Sequence, residues 1–239
     1  MMHWSRLFFL LGCLLVSATL HAQKIYLMAV GVSDYPGTEN DLRLPVEDAK
    51  AICRLYKTNS RATIVLLTDN KATKTEILAK ARTLFAKAKE QDIVVFYFSG
   101  HGMNGGFVAY DGKLPYSDIR KLFAACKARN KMIFADACHA GNMRENKTGS
   151  SQDSDNNVML FLSSRGEEYS FESPSMKNGY YTASLVGALK GGADTNRDRT
   201  ITARELFMAV SQKVKELSGD RQHPVMWGNF ENNMPVMIW

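Results

Sequence analysis

The chain has 239 residues, 45% of them hydrophobic and 23% charged, with four cysteines. That balance excludes a disordered or fibrous protein and fits one globular domain with a sizeable core. The formal net charge of +6 is spread along the chain, without a basic run or interleaved aromatics, so it reads as a solvated surface and gives no case for nucleic acid.

The first residues, Met1 to Arg6, precede an apolar run from Leu7 to Leu20 and then His21-Ala22-Gln23, which is the layout of a secretory signal peptide cleaved after Ala22. The run is shorter than the roughly 20 residues a membrane-spanning helix needs. A retained anchor is one rival reading. Cleavage before Cys13 to give a lipid-anchored protein is another, and it would cut the apolar run in half. No later stretch reaches transmembrane length, so residues 23–239 are expected as one domain, exported to the periplasm or the extracellular space, with no membrane span. Without residues 1–22 the cysteines are Cys53, Cys126 and Cys138. An odd number in an oxidising compartment leaves at least one thiol over. Cys53 and Cys126 both fall in helical patterns, where a buried free cysteine is the commoner outcome, and the sequence does not say whether they pair.

Lys24 to Val32 is apolar and β-branched enough to read as a buried strand, and Pro45 to Tyr56 has the spacing of an amphipathic helix opening at proline. Ala62 to Leu67 reads as a second strand, Lys74 to Ala88 as a second helix, and Asp92 to Ser99 as a third strand. Gly105 to Gly112 looks like a short hairpin, Tyr116 to Ala128 like a helix, and Lys131 to Ala135 like a fourth strand. Residues 142–157 are polar apart from Met143 and read as an accessible loop. Val158 to Leu162 follows as a strand, Tyr181 to Leu189 and Ala203 to Leu217 as helices, and the remainder as a loop-like tail. Continuous apolar strands separated by helices predict an α/β fold, a mostly parallel sheet of about six strands with helices on both faces.

Two of these strands run into polar residues: Ser99-Gly100-His101-Gly102 after the third, and Asp136-Ala137-Cys138-His139-Ala140-Gly141 after the fourth. Ligands bind at the carboxyl ends of strands in open α/β sheets. A thiol and an imidazole delivered there form the pair a cysteine nucleophile needs, because the imidazole keeps the thiol partly as thiolate and later protonates the leaving amine. Taken alone, His101 is an ordinary loop residue and Cys138 a small buried hydrophobe. Their joint placement is what favours catalysis. His139 is the rival base, but a residue adjacent to the nucleophile points elsewhere as the chain leaves a strand. Zinc fits poorly, since only His101, His139 and His223 remain after residue 22 and no paired cysteine spacing exists.

FYFSGHG followed by FADACHAG resembles the paired signature of the caspase, metacaspase and paracaspase superfamily, with His before Cys as that superfamily has it. GVSDYP with NDLRLPVEDAK is similar to the first strand and helix of bacterial metacaspase-like proteins, and the region from FLSSRGEEYSFE through FMAV to their later half. The resemblance implies a caspase-like fold and a cysteine endopeptidase, with His101 as base, Cys138 as nucleophile, and the main-chain amides of Gly102 and Cys138 as oxyanion donors. It implies no cofactor for the chemistry. Asp136 lies two residues before Cys138, so strand alternation puts both side chains on one side. Metacaspases use an acid there to hold a substrate Arg or Lys, and Asp48 stands where they place a second one. Leu44-Pro45 and Glu47 depart from the residues more usual around that second acid. The plain alternatives are a loop cap for Asp136 and a helix-face charge for Asp48. Caspases proper hold an Asp with arginines, for which Arg43 and Arg165 are the candidates here.

Asp194, Asn196, Asp198, Thr200 and Glu205 keep the ligand spacing of a calcium loop, but Arg199 occupies the position that wants glycine. Thr202 with Glu205 also forms a helix capping box, which explains both residues without a metal. Asn146-Lys147-Thr148 matches a glycosylation acceptor, too short a motif to weigh by itself. The expected partner is a peptide or protein substrate cut after Arg or Lys, and Arg144 and Lys147 make residues 142–157 a candidate for self-cleavage. Two other functions stay open at this stage: a caspase-fold binding or scaffold domain without proteolysis, and a cysteine acyl hydrolase acting on a non-peptide amide.

Overall fold

The computed structural model describes residues 23–137, 158–165 and 175–238. The signal-peptide reading, Cys138, His139 and the loop 142–157 lie outside them.

The first strand, β1 (Ile25–Gly31), is buried at every position. Helix α1 (Pro45–Tyr56) follows, with Pro45 in its first turn, where the missing N–H costs nothing. Gly31 is required here, because a Cβ at that position would lie 2.4 Å from the Pro45 carbonyl oxygen. Strand β2 (Ala62–Thr68) and helix α2 (Lys74–Phe85) come next, α2 being capped by the Thr73 hydroxyl, which accepts from the Glu76 N–H. Strand β3 (Ile93–Ser99) is again buried throughout. The sequence predicts a hairpin after it, but the chain forms a three-stranded meander: β4 (Gly102–Met103), β5 (Gly106–Ala109) and β6 (Gly112–Pro115). Helix α3 (Tyr116–Ala124) is shorter than the sequence pattern suggests. It leads to β7 (Asn130–Asp136) and then β8 (Val158–Leu162).

Helix α4 (Tyr180–Gly187) runs into a wide π-type turn at Ala188–Gly192. Strand β9 (Thr200–Thr202) enters α5 (Ala203–Ser218), which has a capping box at Thr202 and Glu205 and stops at left-handed Gly219. The expected loop-like tail instead contains two short strands, β10 (Val225–Trp227) and β11 (Pro235–Ile238).

The main sheet has six strands in the order β10-β8-β7-β3-β1-β2, all parallel except the edge strand β10. Its two faces bury separate cores. One gathers residues of α2, α3 and the small meander, among them Phe85, Phe107 and Phe123. The other gathers residues of α1, α4 and α5, among them Ile52, Tyr181 and Leu206. Coverage on both faces is why β1, β3 and β8 are apolar without alternation. Cys53 belongs to one core and Cys126 to the other; both are free thiols, and the sheet between them settles that they do not pair. Among the described residues no helix is long and apolar enough to cross a membrane.

Candidate active site at the strand ends

Strands β3 and β7 are neighbours in register, Ser99 opposite Asp136, and the Gly100 N–H donates to the Asp136 carbonyl at 3.2 Å. His101 therefore leaves one strand end beside the point where Ala137 leaves the other. Cys138 is the next residue after Ala137 and lies outside the described residues, as does His139.

The imidazole of His101 is held from two directions. Its main-chain N–H donates to the Tyr35 hydroxyl at 2.9 Å, and that hydroxyl donates onward to the Val108 carbonyl at 3.1 Å. The rings of Tyr35 and His101 lie 5.0 Å apart, centre to centre. A side chain at Gly100 would meet the Tyr35 hydroxyl at 2.7 Å, so glycine is what allows this approach. The other restraint is the Asn40 carbonyl, 2.9 Å from Nε2 of His101. A carbonyl only accepts, so this contact requires the neutral imidazole to carry its proton on Nε2 and leaves Nδ1 as the basic nitrogen. Gly102, the oxyanion candidate after His101, opens β4 and pairs with Phe107.

The end of β7 is fixed as firmly. The Ser163 hydroxyl accepts from the Ala137 N–H and donates to the Ala137 carbonyl, both at 3.2 Å, while the Ser163 N–H donates to the Ala135 carbonyl. Gln222, fully buried, donates to the Ser163 carbonyl at 2.9 Å. The backbone that hands on to Cys138 is thus set by its neighbour β8.

The two acids singled out in the sequence come together. Asp48 and Asp136 are 2% and 7% exposed, which makes them buried charges needing compensation. Asp48 accepts from the Asn178 amide at 2.8 Å, the Gly179 N–H at 3.1 Å and the Ser99 hydroxyl at 3.0 Å. Asp136 accepts from the N–H and the hydroxyl of Thr182 at 3.2 and 2.7 Å, and that hydroxyl also meets Tyr97. Both carboxylates therefore face the N-terminus of α4, whose unpaired N–H groups attract anions. They also repel one another: burial first, and the charge of Asp136 second, push the Asp48 carboxyl up to about 7. Asp48 is met only by neutral donors among the described residues.

The described contacts of the remaining sequence candidates lie elsewhere. Arg43 donates to the Met176 carbonyl at the surface, and Arg165 is exposed. The calcium-loop residues are turned inward on their own loop. Asp194 accepts from the Asp198 and Arg199 N–H groups, Asn196 from Asp198, Asp198 from Thr200, and Glu205 from Thr195 and Thr202. Arg199 takes the positive φ of 66° that the loop demands. Among the described residues no three His, Cys, Asp or Glu side chains are grouped to hold a metal ion, so the calcium expectation for Asp194, Asn196, Asp198, Thr200 and Glu205 gains no support here.

Tyr35, Asn40, Ser163 and the segment Asn178–Thr182 complete the site and were not singled out from sequence. Asn40 and Gly179 act through backbone atoms, which leave no residue-type signal. Tyr35 sits in GVSDYP and Ser163 in FLSSRG, segments the sequence does single out, although their contacts span 66 and 26 residues.

The profile described as Caspase domain matches residues 26–234. Among solved structures, a crystal structure of a Geobacter sulfurreducens protein superposes with a TM-score of 0.67 at 16% identity, covering 85% of this chain and 92% of that one. At that identity the likeness speaks for the fold alone. No curated protein matches the chain. With the match running from the first strand almost to the last, the chain belongs to the caspase-domain family of cysteine peptidases.

Proposed function

We propose that the chain is an exported cysteine endopeptidase that cuts peptide bonds after Arg or Lys, with Cys138 as nucleophile and His101 as base. The observation that carries the preference is the meeting of Asp48 and Asp136 at the strand ends. Two buried carboxylates, one of them raised in pKa by burial and then by the other, form a place that a guanidinium or ammonium relieves. An Asp-selective site would need cations there.

In the first step His101 Nδ1 takes the thiol proton and the sulfur of Cys138 attacks the carbonyl carbon of the scissile bond. The N–H groups of Gly102 and Cys138 receive the developing oxyanion. The C–N bond then breaks as His101 passes the same proton to the leaving amine. A water activated by His101 hydrolyses the thioester, releasing the acid product and restoring the thiol. Nε2 stays bonded to the Asn40 carbonyl throughout, so the ring keeps its orientation while Nδ1 cycles. Export rests on the composition of residues 1–22, with 23–239 as the mature domain.

The test is a panel of fluorogenic peptides differing only in the residue before the cut. Arg and Lys peptides should be cleaved, those with Asp, Glu or norleucine poorly, and Asp136→Asn should lower the Arg-over-norleucine ratio at least about tenfold. An unchanged ratio in folded Asp136→Asn refutes the basic pocket, and cleavage favouring Asp moves the chain towards caspase-type specificity.

A further inference from the structure

His101 lines a cavity of about 500 Å³, and its other walls include Tyr35, Pro36, Val108 and Tyr110 beside the polar Asn40 and Asp111. These residues come from the loop after β1 and from the β5–β6 region, on the face of the sheet that carries Tyr35, Phe98 and Phe107. The acidic pair faces the opposite side, where α1 and α4 pack. The strand ends that deliver His101 and Cys138 separate the two. A substrate whose basic side chain enters between Asp48 and Asp136 crosses those ends and leaves on the imidazole side. Proton transfer imposes the same order, because His101 must reach the nitrogen of the leaving residue and no other.

We propose that this cavity binds the side chain of the residue that follows the scissile bond and selects apolar and aromatic side chains. The inference rests on the peptidase reading above and adds a second determinant to it. Pro36 and Val108 give apolar walls, and the rings of Tyr35 and Tyr110 offer faces for stacking. The Tyr35 hydroxyl is already bonded to both Val108 and His101, so its ring is a fixed wall that asks for no polar partner. Asp111, also lining the cavity, puts a negative charge there that disfavours an acidic residue. The volume falls within the ~300–1,000 Å³ of ligand pockets, room for a large side chain. A second cavity of about 510 Å³, between α4 and α5, includes neither His101 nor any residue of the strand ends, so the same argument gives it no substrate.

The experiment uses internally quenched peptides with Arg before the cut and Gly, Ala, Leu, Phe or Asp after it, beside a matched series with norleucine replacing Arg. Full-length mature protein, Tyr110→Ala and Val108→Phe are compared, with thermal unfolding as the check on folding. Wild type should favour Phe and Leu over Gly and Asp by roughly tenfold in kcat/KM. Tyr110→Ala should flatten that preference, and Val108→Phe, which narrows the cavity, should invert Phe against Ala. The Arg-over-norleucine ratio should not move in either. A flat or acid-favouring response to the residue after the cut, with Arg-over-norleucine selectivity intact, overturns this inference alone. So does a preference unchanged in both folded variants. Failure to cleave any peptide overturns the peptidase reading and this one with it.

Discussion

Asp48→Asn separates what the acidic pair does for folding from what it does for substrate. Asparagine keeps the size of the side chain. Its oxygen can accept from Asn178 and Gly179, and its amide can donate to the Ser99 hydroxyl, so the hydrogen bonds of Asp48 survive while its charge does not. The wild-type carboxyl is raised from an ordinary value near ~3.9 to about 7 by burial and by Asp136. Between those values the folded chain holds a proton that the unfolded chain has released, so wild-type stability falls as pH rises through that window. The loss is complete above about 7 and absent below the unfolded value. If the whole shift belonged to Asp48 it would be worth ~4 kcal/mol, and shared with Asp136 about half of that. For a domain of this size ~2 kcal/mol moves Tm by roughly 4–8 °C. Asp48→Asn should therefore melt at the wild-type temperature near pH 4 and several degrees higher at pH 8, measured by circular dichroism across the range. At pH 8 its preference for Arg over norleucine should be at least about tenfold below that of wild type, and near pH 4, where the wild-type carboxyl is itself neutral, the two should converge. A variant less stable than wild type at pH 8, or a difference in Tm that does not grow with pH, would refute the like-charge account.

The remaining predictions follow from the same contacts. For wild type, kcat/KM on an Arg peptide should rise relative to a norleucine peptide as pH increases through about 7, because binding the cation requires the ionised Asp48; a pH-independent ratio contradicts this. Tyr35→Phe leaves the His101 N–H and the Val108 carbonyl without their partner, so kcat should fall roughly ten- to a hundredfold with KM little changed, read from full saturation curves. On sequence alone, the polar stretch 142–157 should be cut after Arg144 or Lys147 by the enzyme itself. Intact mass and terminal sequencing of wild type beside Cys138→Ala decide that point, since a wild type that stays whole while cleaving peptides refutes it.

The sheet was legible wherever burial on both faces enforces apolar runs. α1 and β8 begin and end at the residues their patterns predict, Pro45–Tyr56 and Val158–Leu162. The tail was not. β10 and β11 are three and four residues long, and each gains its hydrogen bonds from a distant partner, β8 or β9, so neither carries a periodicity of its own. The meander after β3 was read one strand short because Gly102–Met103 has no strand composition and is extended only by pairing with Gly106–Phe107. At the site, side chains with chemical function stood out, namely His101, Asp136 and Asp48. What positions them did not: a carbonyl at Asn40, an N–H at Gly179, and hydroxyls at Tyr35 and Ser163 whose neighbours are set by folding. At 194–205 the carboxylates with ligand-like spacing accept from N–H groups of their own loop, contacts the spacing alone does not reveal.

Covalent labelling tests the central claim most directly. A peptidyl chloromethyl ketone ending in Arg, incubated with the mature protein and followed by intact mass and peptide mapping, should add one inhibitor per chain, on Cys138, by displacement of chloride by the thiolate. Cys53 is buried and its thiol is pushed up to about 11, and burial raises Cys126 as well, so both should stay unmodified in the folded protein. His101→Ala should label slowly, Cys138→Ala not at all, and a norleucine analogue far more slowly than the Arg reagent. Adduct on Cys53 or Cys126 with Cys138 untouched, or equal labelling by the neutral reagent, would contradict the account.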